Sequence, residues 1–238
     1  MSAQPDSQLD PRHRDVPSRP TSLYATLLKR GFDFAAAAAL IVVLLPVYLL
    51  VWLCVAILMG RPVLFRDRRA GLDGQPFTVL KFRSMRDAAD VDGEPLPDGQ
   101  RLTAFGRLLR RTSLDELPQL MCVVQGSMSI VGPRPLPERY VPRYSARQAT
   151  RLFVRPGLTG WAQTHGRNAV GWEDRLSLDA DYVERLGRPL GILLDARIVA
   201  ATIGLVLYQA ITGRGVAAPG EATMQEFLGT EGAGDRGA

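Results

Sequence analysis

"FAAAAALIVVLLPVYLLVWLCVAILM", residues 34–59, carries no charged side chain, and the way it sits decides the fold. It is longer than the ~20 residues a helix needs to cross a bilayer. It is too long, and too far from the N-terminus, for a signal-peptide core, and no small-residue cleavage site follows. Both flanks are basic: Lys29 and Arg30 precede the run, and Arg61, Arg66, Arg68 and Arg69 follow it. Basic flanks favour the cytoplasm, so one straight span cannot satisfy both ends. Pro46, near the middle, has no N–H to donate, and its ring clashes with the preceding turn. Two half-helices of about 13 residues would each rise ~20 Å, so a bent hairpin over 23–60 can dip into one leaflet and return. The competing reading is a kinked single span.

Outward from this segment the pattern changes. Residues 1–22 are polar, hold Pro5, Pro11, Pro17 and Pro20, and read as a flexible tail. On the other side, "PVLFRDRR" and "PFTVLKF", parted by the turn-rich "AGLDGQ", form a β-hairpin. Residues 84–101 are a polar, acidic loop. Helical patterns follow at 102–110, 118–124, 137–152, 176–186 and 190–211, with a Gly-rich loop at 155–168. The last of these is apolar apart from Asp195 and Arg197, which suits an interfacial or core helix. Residues 214–238 read as a loose tail. The expected class is α+β and mainly helical. It is a monotopic membrane protein with a re-entrant, proline-broken hydrophobic helix, a β-hairpin, amphipathic interfacial helices and a cytoplasmic domain over 61–213.

Composition narrows the chemistry. The 238 residues, 46% hydrophobic with net charge +5, suffice for one domain with a real core. The two cysteines, Cys54 and Cys122, lie in apolar surroundings and fit a reducing compartment. With only His13 and His165, a His-based zinc site or a Ser-His-Asp triad has almost no material. Arginine is plentiful, and its fork favours phosphate and carboxylate partners. "RRTSLDELPQL", residues 110–120, concentrates the question. Ser113 and Glu116 fit a capping box. Alternatively Pro118 opens the helix and leaves Asp115 and Glu116 on the loop just before it, where anions bind. Arg134, between Pro133 and Pro135, is presented from a stiff loop. Lys81 and Arg83 end the second hairpin strand. Paired carboxylates amid basic groups, and an acidic stretch at 87–98, argue against a nucleic-acid binder.

Several long motifs in order resemble one family. "RTSLDELPQL", "GSMSIVGPRPL", "VRPGLTGWAQ" and "GRN" are similar to the bacterial sugar transferases, the small monotopic phosphoglycosyl transferases. The resemblance covers about residues 24–230, including "LKRGFD", "FTVLKFRSM", "LDARI" and "GEATMQEFLG". It implies a transfer of phospho-sugar from a uridine diphosphate sugar to a polyprenyl phosphate, with the catalytic domain on the cytoplasmic face of the bacterial inner membrane. Asp115 would be the nucleophile, Glu116 its assistant, and Mg2+ would be held in part by Asp115. Arg110 and Arg134 would grip phosphate oxygens, with Lys81, Arg111, Gln119, Arg155 and Arg167 as further substrate-binding positions. Arg30 and Asp195 would form an anchor pair at the entry of the membrane helix. The break in relatives is often Ser-Pro, whereas here it is Leu45-Pro46. Short length and the late "EATMQEF" resemble members that carry N-acetylated amino or diamino sugars.

Overall fold

A computed structural model describes residues 16–87, 96–165, 171–212 and 226–229. A π-helical turn, Tyr24–Leu28, runs into α1 (Lys29–Leu58), which leads to β1 (Leu64–Ala70) and β2 (Pro76–Phe82). Then come α2 (Asp98–Arg101), α3 (Ala104–Arg111), α4 (Gln119–Gln125), β3 (Ser129–Val131), α5 (Ala146–Ala149) and β4 (Gly157–Thr159). The last elements are α6 (Trp161–Thr164), α7 (Trp172–Leu186) and α8 (Gly191–Thr212). The chain is mainly helical with two small sheets. β1 and β2 form the antiparallel hairpin, Leu64 opposite Phe82 and Ala70 opposite Pro76, while β3 and β4 pair in parallel.

α1 is helical on both sides of Pro46, which lies inside it. A proline deletes one hydrogen bond and crowds one carbonyl, while the turns on either side keep theirs. Asp33, Ala37, Ile41, Leu44, Tyr48, Val51 and Val55, three or four apart, form the better-covered stripe of α1. Ala37 and Ile41 pack with Leu120 and Val123 of α4. Val51 and Val55 pack with Phe82 and Leu109. The opposite face leaves Val42, Val43, Leu49, Leu50, Leu53 and Ile57 exposed. Tyr24–Leu58 and Gly191–Gln209 are each long and apolar enough to cross a membrane, and only 11% of the most apolar 18-residue window of the first is buried within the protein. α1 is therefore no soluble core helix. Its bare apolar face suits membrane association.

The start of α1 is tied down by a buried polar network. Lys29 Nζ lies 2.6 Å from Asp195 Oδ2, and the Tyr24 hydroxyl donates to the same oxygen at 2.7 Å. Tyr182 of α7 donates to Asp195 Oδ1 at 2.9 Å. Asp33 accepts from Ser129 Oγ at 2.7 Å and from the Ile130 amide at 3.1 Å, which joins α1 to β3. The expected Arg30–Asp195 pair is thus corrected to Lys29–Asp195. Arg30 instead donates to the carbonyls of Val123 and Val124, at 2.6 and 2.8 Å, and caps the end of α4. The winding explains the exchange. An i→i+5 turn brings Tyr24 and Lys29, five residues apart, onto one face. Asp195→Ala leaves a buried ammonium without its closest partner and is expected to destabilise the fold by about 3–5 kcal/mol, read as a lowered Tm in detergent or nanodiscs.

Three further expectations change. The helix expected over 137–152 is a short α5 between two 3-10 turns, Glu138–Arg143 and Thr150–Phe153, because Pro142 cannot donate in a helical ladder. Of the N-terminal tail, residues 1–15 lie outside the described residues. The rest packs on the domain: Pro17 is buried, and Ser22 Oγ donates to the Leu186 carbonyl. In the C-terminal tail, Phe227 is buried against Tyr140, Tyr144 and Trp172, and Glu226 pairs with Arg139 and Arg143.

Candidate active site

The acidic pair sits between two short helices. Thr103 caps α3, its Oγ1 accepting from the Gly106 amide at 2.9 Å. A Cβ on Gly106 would fall 1.8 Å from the Ser84 carbonyl, so glycine lets α3 close on the end of the hairpin. After α3, Ser113 takes a left-handed conformation (φ 57°), and one 3-10 turn, Leu114–Glu116, leads to Pro118 and α4. Ser113 makes no side-chain cap. The capping box is therefore absent, and the carboxylates stand on the loop before α4.

The two carboxylates have opposite surroundings. Glu116 Oε1 accepts from Lys81 Nζ at 3.0 Å and from Arg134 Nη2 at 2.9 Å. Burial pushes Glu116 up, but the Arg134 and Lys81 charges and their hydrogen bonds outweigh it and hold the carboxyl well below the usual range. Asp115, 8% exposed, has no hydrogen bond or ion pair among the described residues. Burial, then the charge of Glu116, pushes it up to about 6 against the lowering pull of Lys81, Arg110 and Arg134. A buried carboxylate left unpaired beside three cations is a poor structural element and a good reactive one. Arg110 is aimed by Ser84, whose Oγ accepts from its Nε at 3.0 Å.

Arg134 stands on a loop built by backbone interlock. A Cβ at Gly157 would lie 2.1 Å from the Gly132 amide nitrogen, and one at Gly160 would lie 2.2 Å from the Gly132 carbonyl. Only glycine permits that approach, which is the physical reason for "GPRP" and "PGLTG". Four successive carbonyls of the loop are gripped from outside. Pro133 accepts from the Gly157 amide (2.9 Å), Arg134 from Arg151 (2.6 Å), Pro135 from Arg69 (3.4 Å) and Leu136 from the Ala70 amide (3.0 Å).

The remaining expected substrate positions divide. Gln119, at the start of α4, is 2% exposed, and its amide nitrogen has no acceptor among the described residues. Arg111 is exposed and unpaired among them. Arg155 donates from Nε to the Gly126 carbonyl at 2.8 Å, so that part of it caps α4. Arg167 lies outside the described residues. Sequence reasoning passed over Ser84 and Arg151. For Ser84 the signal was its place in "FTVLKFRSM", while Arg151 has no local motif.

Comparison with known proteins agrees with this geometry. The family model described as bacterial sugar transferase matches residues 24–209. The chain belongs to the bacterial sugar transferase family. It is an enzyme of the phosphoglycosyl transferase type. The chain is similar to the uncharacterized sugar transferase EpsL of Bacillus subtilis, with 43% identity over 204 residues, 86% of this chain and 97% of that one. It is 43% identical over 182 residues to a UDP-glucose:undecaprenyl-phosphate glucose-1-phosphate transferase of Caulobacter vibrioides, covering 71% of this chain and 67% of that one. An enzyme of the same name from Escherichia coli is 37% identical over 196 residues, 77% of this chain but 41% of the longer relative. Each stretch that carries the resemblance and bears the acidic pair, Lys81 or Arg134 falls within the matched span of this sugar transferase.

Proposed function

We propose that the chain transfers a phospho-sugar from a UDP-sugar to a polyprenyl phosphate through a covalent intermediate on Asp115. The observation that carries this reading is the division of labour in the acidic pair: Glu116 is held by Lys81 and Arg134, and Asp115 has no hydrogen bond or ion pair among the described residues. An Asp115 carboxylate oxygen attacks the β-phosphorus, the bond to the bridging oxygen breaks, and UMP leaves with that oxygen. An oxygen of the polyprenyl phosphate then attacks the same phosphorus, the acyl-phosphate bond breaks, and Asp115 returns as carboxylate. One anhydride replaces another, so the balance needs no nucleoside triphosphate. Arg110 and Arg134 neutralise charge on the equatorial oxygens, while Gln119 offers its amide to an oxygen of the bound sugar nucleotide.

A divalent cation fits through one protein ligand. Among the described residues no group of three or more His, Cys, Asp or Glu side chains gathers to hold a metal. Mg2+ commonly takes one or two carboxylates and completes its shell with substrate phosphates and water, so Asp115 and the diphosphate together suit it. Bound there, it would supply Lewis-acid neutralisation of the diphosphate.

The test is release of UMP from a panel of UDP-sugars, with and without undecaprenyl phosphate, and mass spectrometry of the Asp115 peptide. A phospho-sugar adduct formed without the lipid acceptor is the expected result; strictly ternary kinetics without an adduct would overturn the reading. Because the relatives' names include UDP-glucose, the panel sets glucose beside N-acetylated amino sugars. The pH profile provides a second check. Asp115 is nucleophilic only when ionised and sits near 6, so kcat/KM for UMP release is expected to fall as pH drops through about 6. Glu116→Gln removes a charge that raises Asp115 and frees two cations that lower it, so the residual activity of this variant should show its acid limb at lower pH.

The membrane placement we infer is re-entrant, with both flanks of α1 on the cytoplasmic side. Two observations support it: the basic flanks, and the packing of both halves of α1 on one domain, through α4 at one end and β2 and α3 at the other. A helix leaving the domain to cross ~30 Å of hydrocarbon could not keep both ends on it. Cysteine placed at Thr21, in a chain lacking Cys54 and Cys122, is expected to resist an impermeant thiol reagent in intact cells. Labelling from the periplasmic side would sink the re-entrant placement.

A further inference from the structure

We infer that Arg151 is a positioning residue for Arg134, setting the guanidinium that serves the phosphoryl transfer without touching substrate. The inference rests on the reading of Arg134 given above. Arg151 lies on the 3-10 turn Thr150–Phe153, 3% exposed, and faces Asp179 of α7. Its Nε and Nη2 donate to Asp179 Oδ2 at 3.1 and 2.8 Å, and its Nη1 donates to the Tyr144 hydroxyl at 3.0 Å. The second hydrogen of Nη2 goes to the Arg134 carbonyl at 2.6 Å. The planar fork is thus locked on three sides, and the fourth contact falls on the main chain of the residue that holds Glu116.

The placement has a particular reason. Arg134 is flanked by prolines, so two of the three residues in this stretch have no N–H with which to pin the loop. At Pro133 and Pro135 carbonyls alone remain as handles. Those of Pro133, Pro135 and Leu136 are taken by other segments, whereas that of Arg134 itself is taken by a guanidinium anchored in the core. Tyr144 is in turn seated against Tyr140 and Phe227, so the C-terminal segment backs the same arrangement.

A double-mutant cycle decides between positioning and plain structural support. Arg151→Lys keeps the charge toward Asp179, but a single ammonium cannot also span Tyr144 and the Arg134 carbonyl. It is expected to lower kcat/KM for UMP release by about tenfold, within the range that small misplacement of a catalytic group produces. In the Arg134→Lys background the same change should produce no further loss, because nothing is left to position. Losses that multiply in the double variant, or a single Arg151→Lys with wild-type kinetics, overturn the inference. If Arg151→Lys does not fold, Tyr144→Phe enters the cycle in its place and is judged by the same absorption of its loss. Wild-type activity in Arg134→Lys alone would instead overturn the role of Arg134, and this inference with it.

Discussion

Asp115→Asn is expected to abolish UMP release, by on the order of 10⁴-fold or more, as loss of a nucleophile does where the rest of the site stays intact. The amide is nearly the same size, so packing in the Leu114–Glu116 turn is preserved. Its nitrogen cannot attack phosphorus, and its oxygen carries no full charge. Stability should not fall, because Asp115 has no ion pair or hydrogen bond to lose among the described residues, and a neutral group is easier to bury than an unpaired charge. A variant that is inactive with an unchanged or raised Tm is the expected result. Retained turnover beyond a trace would remove Asp115 as nucleophile, and a collapse of Tm would make it a structural residue.

Arg134→Lys is expected to lower kcat/KM by about 10²–10³-fold, the loss that follows removal of one preorganised donor. Charge is kept, but geometry is not. The guanidinium presents a planar fork, one nitrogen of which reaches Glu116 at 2.9 Å; an ammonium is a single point. Glu116 also keeps Lys81, at 3.0 Å, so the variant should fold and should hold Glu116 ionised. The loss should therefore appear in catalysis rather than in stability. Steady-state kinetics beside a thermal melt checks both. Near wild-type kinetics would return Arg134 to the role of a solvated loop residue.

Much of this site was legible because its parts are local in the chain. The acidic pair, the stiff "PRP" and the glycines of "PGLTG" lie within short motifs whose chemistry is implied by the resemblance to the sugar transferases. The hairpin was legible from alternation and a turn-rich connection. The capping box failed because Ser113 turns left-handed and leaves the helical path, a backbone choice that a Ser-x-x-Glu spacing does not encode. The helix expected over 137–152 failed at Pro142, whose effect was outweighed in the reading by apolar periodicity. Arg155 has a structural use as well, its Nε being claimed by the open end of α4.

The amino-acid sequence by itself determined that a long apolar helix forms, that a hairpin follows it, and that carboxylates and arginines gather before α4. These depend on hydrophobicity, proline and glycine geometry, and charge, which act over a few residues. Tertiary structure alone decided that Lys29 rather than Arg30 meets Asp195, since a π-turn changes the phase of the helix and neighbouring side chains point some 100° apart. It alone decided that Glu116 is locked while Asp115 is left open, because Lys81, on a strand 35 residues earlier, and Arg134, on a loop 18 residues later, converge on one oxygen. Electrostatic identity at a buried site depends on which distant charges arrive within a few ångströms, and only the folded chain brings them there.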